Sequence, residues 1–448
     1  MKKIRIGGGA GYGGDRIEPA LNLIRLGDLD YIIFECLAER TIALAQQKKD
    51  EDSSKGYNEL LEYRMSKILP LLKEHKVKII TNMGAANPEA AVEVTGKMAE
   101  KYGLAGLKIM GVLGDDIMDR IDDYMDNVIL ETGMPLRSIS RDIVSANAYI
   151  GVSGIVSALR QGADIVITGR VADPALTLAP AVYEFGWSMD DYDKLGKGTV
   201  MGHLLECGAQ VCGGYFADPP YKTVPDLWNV GFPIGEITCD GDITISKLES
   251  AGGIVSRETV SEQLLYEIHD PRAYCTPDVT ADFSGIELEE REGAVIVRGA
   301  SGKPKNGKYK VSVAYRDGFI GEGEISYTGS GARERAELAL DIIRRRLEPW
   351  KNVILDEQYD IIGVNSLHGD ISGSVCQPPE CRIRAAIRTG DAFSAGMAGR
   401  EVEALYTNGP AGGGGARQSV REVIAVASIF VPKEDIKEKT IVWKGGAK

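Results

Sequence analysis

Short apolar runs alternate with longer amphipathic stretches over the first 240 residues of the chain. The amphipathic stretches have helical spacing, and Asn87-Pro88-Glu89 opens one of them with proline at the first helical position. The apolar runs typical of buried strands lie at residues 4–6, 31–35, 78–81, 108–112 and 165–168. Because strands that alternate with helices are typical of a parallel sheet, this part predicts a mostly parallel, three-layer α/β domain.

The pattern changes after about residue 240. Residues 295–298, 309–316 and 323–327 alternate apolar and polar positions with period two, and turn-forming residues separate them, which is typical of antiparallel hairpins. A helix is predicted near residues 333–347. We therefore predict an α/β fold with two domains: an α/β domain over residues 1–240, and an α+β domain with a mixed sheet over residues 241–448.

A glycine-rich loop follows the first predicted strand. Gly9, Gly11 and Gly14 fit the pattern G-x-G-x-x-G, and the acidic residue Glu35 ends the second predicted strand about 20 residues later. Such loops bring backbone N–H groups to a phosphate, so one interpretation is a nucleotide site. The alternative is a tight strand–helix turn, with Asp15 as a helix cap.

Polar residues gather where the predicted parallel strands end, which is where ligands bind in open α/β sheets. Arg170 has the geometry to hold a carboxylate with two hydrogen bonds. Asp173, which precedes Pro174, is a candidate base or a helix cap. Glu39 is a further candidate proton carrier. The predicted anion-binding residues of this half are Gly11, Gly13, Asp15, Arg16, Asn82, Gly84, Asn87 and Arg170.

A histidine and a carboxylate are spaced to share one face of a predicted helix. His203 and Glu206 are three residues apart, a spacing that suits acid–base chemistry and also an ordinary surface helix. With Asp173 and Glu39 they complete the candidate catalytic set. The pairs Cys207/Cys212 and Cys376/Cys381 have a spacing that zinc sites allow, but their small neighbours favour buried cysteines. We therefore predict no metal-binding residue, while Mg²⁺ stays open.

A second glycine-rich loop follows the last predicted helix. Its candidate anion-binding residues are Asn408, Gly412, Gly413, Gly414 and Arg417. Consecutive glycines before an arginine favour an anion-binding nest, and a flexible linker is the alternative. If this loop reaches the carboxyl edge of the first sheet, the site would lie between the domains.

The amino-acid composition limits the classes of partner that the protein is expected to bind. The chain has 52 basic and 65 acidic residues and a net charge of −13, which argues against nucleic acid or an anionic membrane as partner. There is no signal-peptide pattern and no membrane-spanning apolar stretch, and seven cysteines do not form a secreted disulfide pattern, so we expect a cytoplasmic protein. We also expect a homo-oligomer, as is common for soluble enzymes of this size.

Several segments together resemble the acyclic terpene utilisation AtuA-like family. They include the opening Ile6-Gly7-Gly8 and Gly13-Gly14-Asp15-Arg16, and the closing Tyr406-Thr407-Asn408-Gly409-Pro410 with the glycines that follow. The others lie at residues 36–41, 81–88, 168–178, 202–219, 262–283 and 318–327. The resemblance implies catabolism of a branched or unsaturated carboxylic acid, with CoA as part of a thioester substrate, by a lyase or hydratase step. A small separate partner subunit is also implied.

Three functions remain open. In the first, a lyase holds an anionic substrate with Arg16, Arg170 and the glycine loops, while Asp173, Glu39 or Glu206 moves a proton during hydration, dehydration or carbon–carbon cleavage. In the second, Gly9, Gly11, Gly14 and Glu35 bind NAD(P) or ATP. In the third, the chain is a non-catalytic subunit of a larger assembly. For the first function, the lyase, no cofactor is predicted.

Overall fold

A computed structural model describes residues 2–139, 142–369 and 378–445. It has helices together with mixed and antiparallel sheets, which confirms the predicted α/β class. The chain forms two compact units. The first comprises Met1–Ile139, Val144–Ala314 and Val426–Lys448, and the second comprises Ser140–Ile143 and Tyr315–Ala425.

The strands and helices follow in chain order. The strands are β1 (Lys3–Gly8), β2 (Tyr31–Phe34), β3 (Lys78–Thr81), β4 (Ile109–Leu113), β5 (Ile143–Ala148), β6 (Ile165–Thr168), β7 (Pro233–Thr238), β8 (Ile243–Lys247), β9 (Tyr274–Cys275), β10 (Thr280–Asp282), β11 (Glu287–Arg291), β12 (Ala294–Arg298), β13 (Ser301–Lys303), β14 (Lys308–Thr328), β15 (Ile354–Ile362), β16 (Glu380–Thr389), β17 (Gly414–Pro432) and β18 (Lys439–Val442). The helices are α1 (Glu18–Leu26), α2 (Glu39–Glu51), α3 (Leu61–Ile68), α4 (Pro88–Lys101), α5 (Ser153–Arg160), α6 (Ala175–Phe185), α7 (Tyr192–Glu206), α8 (Arg257–Leu265), α9 (Ala332–Leu347), α10 (Ala392–Ala395) and α11 (Met397–Asn408). No helix within the described ranges is both long and apolar enough to cross a membrane.

The first unit is built on a ten-stranded sheet in the order β11-β12-β8-β7-β1-β2-β3-β6-β4-β18. Its centre, β1-β2-β3-β6-β4, is parallel, as the alternation of strands and helices predicts. Strands β7, β8, β12 and β11 extend one side in antiparallel fashion, and β18 extends the other. The sheet is therefore mixed.

The units differ from the predicted division at residue 240. Strands β7 and β8, which flank that residue, are hydrogen-bonded neighbours in one sheet, with Ile237 opposite Ile243. The change in pattern marks a change from parallel to antiparallel pairing within the sheet. Such hairpins carry the same period-two pattern whether they extend an existing sheet or start a new one, so the pattern alone could not separate the two cases.

The central strands are apolar because both faces of the sheet are covered. Every residue of β2 and of β6 is buried, as is typical of parallel strands between two helical layers. One core cluster joins Ile32 and Ile79 of the sheet to Leu23 of α1, Met65 of α3 and Ala91 of α4. This packing holds the strand ends in place, and the loops that follow them carry the candidate site.

Glycines let helix α7 approach those loops closely. A Cβ on Gly202 would lie 2.6 Å from the Cα of Pro174, which begins the turn before α6. A Cβ on Gly11 would lie 2.4 Å from the carbonyl carbon of Cys207, just after α7. The C-terminal end of α7 is therefore packed against the loops that follow β1 and β6.

The second unit contains most of a sheet in the order β15-β16-β14-β17. Strand β16 pairs antiparallel with both β14 and β15. Alternate residues such as Ile325 and Ile383 face a cluster that includes Leu340 of α9 and Val402 of α11. Period-two strands with one helix-covered face match the predicted α+β pattern of this region.

We predict that Gly202→Ala lowers stability by about 1–3 kcal/mol, because the added methyl group overpacks the contact with Pro174. Thermal unfolding of the full chain measures the effect. Gly106→Ala is the matched control, since a Cβ there meets nothing within 4 Å and the backbone is not left-handed. Equal stability of the two variants would contradict the close packing of α7.

Candidate active site

A cavity of about 1160 Å³ lies at the carboxyl ends of the parallel strands. Its walls include Gly11–Asp15 after β1, Glu35–Glu39 after β2, and Asp173 in the loop after β6. Glu206 at the end of α7 and Lys310 on β14 add further polar groups to the wall. All the residues that line this cavity belong to the first unit.

Arg170 lies behind this wall, with a side chain that is only 1% exposed. Its Nε donates to the Val171 carbonyl at 2.9 Å, and its Nη1 donates to the carbonyl of Leu37. Its Nη2 donates to Oδ1 of Asp173 and lies 4.0 Å from Oε1 of Glu35. The guanidinium is therefore used within the protein, and it pairs two carboxyl groups instead of facing the cavity as the predicted anion clamp would.

The loop that carries Arg170 is anchored by a buried carboxyl group. Oδ2 of Asp115 accepts from the Arg170 backbone N–H at 2.9 Å and from the Asn147 amide at 3.0 Å. Burial raises the pKa of Asp115 to about 6, although both hydrogen bonds oppose this. A Cβ on Gly169 would lie 2.6 Å from Asp115, so glycine is needed for this approach.

Asp173 and Glu35 both have a raised pKa. Burial raises the pKa of Asp173 well above its ordinary range, and the nearby carboxylates add to the rise while Arg170 opposes it. Burial also raises the pKa of Glu35 to about 7, again against Arg170. The Asp173 side chain is 34% exposed and that of Glu35 is 11% exposed. Asp173 is thus the more accessible member of the pair, and its side chain binds Arg170 instead of capping α6.

Neighbouring groups fix the orientation of Glu35. Its Oε1 accepts from the Leu37 N–H and from Nδ2 of Asn82, each at 2.9 Å. Oδ1 of Asn82 in turn accepts from the Cys36 N–H at 2.7 Å. The fully buried Asn82 therefore supports the carboxyl group from behind and does not contact a ligand directly.

Glu39 is held in the opposite charge state. Burial acts to raise its pKa, but a hydrogen bond from the Tyr149 hydroxyl and the charges of Lys310 and Arg170 outweigh burial and lower it to about 2. Nζ of Lys310 lies 3.3 Å from Oε1 of Glu39 and 4.9 Å from the centre of the Tyr149 ring. Arg170 lies 4.5 Å from the same ring. Glu39 is therefore an anion that orders Tyr149 and Lys310.

His203 and Glu206 form a buried pair at the end of α7. Nδ1 of His203 lies 2.9 Å from Oε1 of Glu206, and Nε2 lies 2.8 Å from the carbonyl oxygen of Gln263. Glu206 lines the cavity, whereas His203, 2% exposed, lies behind it among the rings of Tyr274 and Phe283. The helical spacing predicts this contact, although the helix is buried and not on the surface.

Two cysteines of the cavity wall, Cys36 and Cys207, have a raised pKa. Burial raises the pKa of Cys36 to about 12, although Arg64 donates to its Sγ at 2.9 Å. Burial and the charge of Glu206 raise the pKa of Cys207. In the described part of the chain no three His, Cys, Asp or Glu side chains have the arrangement of a metal site. The pair Cys376/Cys381 cannot be described, because Cys376 lies outside the described residues.

The predicted residues of the first glycine loop divide into two groups. Gly11, Gly13 and Asp15 line the cavity, but Arg16 does not: its guanidinium lies 3.3 Å from the Trp228 carbonyl and 3.7 Å from Glu18. Oδ2 of Asp15 already accepts from the Gly11 N–H at 2.9 Å. A carboxylate thus occupies an amide that a nucleotide phosphate would need, and its charge would repel that phosphate.

The remaining predicted residues have structural contacts. Asn87 caps α4 through the Ala90 N–H, and a Cβ on Gly84 would lie 2.4 Å from the Thr168 carbonyl. The second glycine loop, with Asn408, Gly412, Gly413, Gly414 and Arg417, belongs to the second unit and contributes no residue to this cavity.

The sequence patterns do not identify Tyr149 or Lys310 as site residues. Neither lies in a motif, and each reaches Glu39 from a distant part of the chain. The alternating pattern around Lys310 indicates a strand but does not indicate what its side chain contacts.

We predict that Glu35→Gln reduces the pH dependence of stability between about pH 4.5 and pH 7. In the folded protein the pKa of Glu35 is raised from 4.5 to about 7, so its contribution is complete below pH 4.5 and is lost as pH rises through 7. The free energy of unfolding, measured against pH, should fall less steeply in the variant. The exposed-site control Glu74→Gln should follow the wild type, and a Glu35→Gln curve parallel to the wild type would refute the shift.

Comparison with known proteins gives one family. No curated protein and no solved structure matches the chain significantly. The sequence model of one protein family, described as acyclic terpene utilisation family protein AtuA, matches residues 4–442. This range is essentially the whole chain and includes every residue of the cavity wall. The chain therefore belongs to the acyclic terpene utilisation AtuA family, which implies a role in the use of acyclic terpenes.

Proposed function

We propose that the protein is a hydro-lyase that adds water to, or removes water from, a small branched or unsaturated carboxylic acid or its CoA thioester. The observation that supports this most strongly is the pairing of Asp173 and Glu35 with one buried guanidinium. Two carboxyl groups that compete for one cation hold one negative charge and one proton between them near neutral pH. A reaction that needs both an acid and a base can use such a pair.

Asp173 is the member of the pair that meets the substrate. In dehydration, protonated Asp173 gives its proton to the leaving hydroxyl group at C3, the C–O bond breaks and water departs, while Glu35 stays ionised opposite Arg170. In hydration, ionised Asp173 takes a proton from water as the oxygen bonds to C3, and Glu35 again stays ionised. Arg170 faces at least one negative charge in every state, so no state leaves it unpaired.

Basic and amide side chains of the cavity wall offer contacts for an anionic group. Asn306, Lys308 and Lys310 line the cavity at the start of β14. Lys310 is paired with Glu39, whereas Lys308 has no ion pair among the described residues and its side chain is exposed. A substrate carboxylate, or the carbonyl oxygen and phosphates of a thioester, would be held here as acceptors of charged hydrogen bonds.

An apolar wall supports a hydrocarbon chain as the rest of the substrate. Leu37, Ala45 and Ala85 line the cavity and pack together in one buried cluster. Leu44, 39% exposed, also faces it. Pockets for small molecules combine such apolar surfaces with a few polar groups, and a branched acyclic chain needs no hydrogen-bond partners.

We predict that Asp173→Asn lowers kcat at least about 100-fold, since asparagine cannot carry the proton. Purified full chain is incubated with 3-hydroxyacyl-CoAs, enoyl-CoAs and the matching free acids, and mass spectrometry follows the gain or loss of water. Asp122→Asn, an exposed site outside the cavity, should retain wild-type turnover. Full activity of Asp173→Asn, or cleavage products in place of hydration products, would refute the assignment.

We predict that Lys308→Met raises KM about 10-fold with little change in kcat, because it removes binding that ground state and transition state share. Steady-state kinetics on the best substrate of the panel measure both constants. Lys351→Met, in the second unit and outside the cavity, is the control. An unchanged KM in Lys308→Met would contradict the proposed anion contact.

A further inference from the structure

The contacts of His203 fix where its ring carries hydrogen. Nε2 lies 2.8 Å from the main-chain carbonyl oxygen of Gln263. A carbonyl oxygen can only accept, so Nε2 must donate and carries a hydrogen. The side-chain amide of Gln263 returns a hydrogen bond to the His203 carbonyl at 3.0 Å, which holds α7 and α8 in this register.

It follows that the other ring nitrogen shares a proton with Glu206. Nδ1 lies 2.9 Å from Oε1 of Glu206. A neutral ring with hydrogen on Nε2 has a lone pair at Nδ1, and an ionised carboxylate would face it with a second lone pair. The contact is favourable only with a proton between them, either as carboxylic acid and imidazole or as carboxylate and imidazolium.

The second oxygen of Glu206 has no partner. Oε2 is buried and has no hydrogen bond within the described residues, although Glu206 lines the cavity. A buried acceptor without a donor is costly. A substrate group in the cavity would supply the missing contact.

We propose that the Glu206 carboxyl group relays a proton between the substrate and His203. The inference rests on the proposed function, in which dehydration breaks a C–H bond at C2 as well as the C–O bond at C3. Oε2 takes the C2 proton, the proton on Oε1 passes to Nδ1, and the electrons of the C–H bond form the new double bond. Glu206 stays neutral and His203 becomes an imidazolium. Hydration reverses each step.

The surroundings of His203 suit a ring that gains a proton without moving. Both nitrogens already face oxygen acceptors, Oε1 of Glu206 and the Gln263 carbonyl. The rings of Tyr274 and Phe283 pack at 5.7 and 5.5 Å between ring centres. The titratable groups that interact with Glu206 are Glu35, Asp173, Cys207 and Tyr274. Glu267 interacts with Cys207 and Tyr274.

Nitrogen NMR of the full chain labelled with ¹⁵N-histidine tests the shared proton without any turnover. The chain has four histidines, and His203→Gln identifies the signals of His203. We expect hydrogen on Nε2 throughout the folded pH range, and an Nδ1 resonance between those of a free and a protonated nitrogen. Glu206→Gln should move Nδ1 to the position of an unprotonated acceptor, and Glu267→Gln should leave it unchanged. Hydrogen on Nδ1 with a bare Nε2, or an Nδ1 signal indifferent to Glu206→Gln, would overturn the proposal.

Kinetics test the relay itself. His203→Gln retains an amide beside Glu206 but cannot take up a proton, so we expect kcat to fall about 100-fold with KM preserved, and one limb of the kcat–pH profile to disappear. A merely structural role would leave the profile shape intact, and that result would overturn the relay. If the NMR result holds but no substrate of the panel turns over in the wild type, the proposed function fails while the shared proton stands.

Discussion

The ion pairing of one buried guanidinium organises the cavity. Arg170 is enclosed where the loops after β2 and β6 meet, with hydrogen bonds to backbone carbonyls on both. A buried cation needs a matching negative charge, and Asp173 and Glu35 supply more carboxyl groups than one cation requires. The surplus is balanced by a proton. The same contact thus ties two loops together and keeps an acid beside a base.

The charge state of each carboxyl group in the cavity is determined by the groups around it and not by its position in the sequence. Glu39 accepts a hydrogen bond from the Tyr149 hydroxyl and faces the charge of Lys310, so its pKa is low and it is an anion. Glu35, four residues earlier, is buried more deeply and has a pKa of about 7. Glu206 is paired with an imidazole. In the function proposed above, these three environments supply an anion, an exchangeable proton and a relay to a buried base, which is the set of groups that water addition or elimination needs.

The sequence was most informative where local rules apply. Alternating strands and helices predict the parallel centre of the sheet, and the rule for strand ends brings Glu39 and Asp173 to one edge. Contacts between side chains that are far apart in the sequence could not be predicted. From its position after a predicted strand, Arg170 is expected to bind an anionic ligand. Only the fold reveals that its guanidinium is already paired with Asp173 and Glu35. Lys310 reaches the cavity because β14 passes it, and no motif marks that strand.

Infrared spectroscopy of protonated carboxyl groups near neutral pH tests the shared charge of Asp173 and Glu35 most directly. If the two groups hold one proton opposite Arg170, the wild type has a protonated-carboxyl band that both Asp173→Asn and Glu35→Gln reduce. Each substitution leaves one carboxyl group alone with the cation, and that group then ionises. A band of equal intensity in the wild type and both variants would contradict the account.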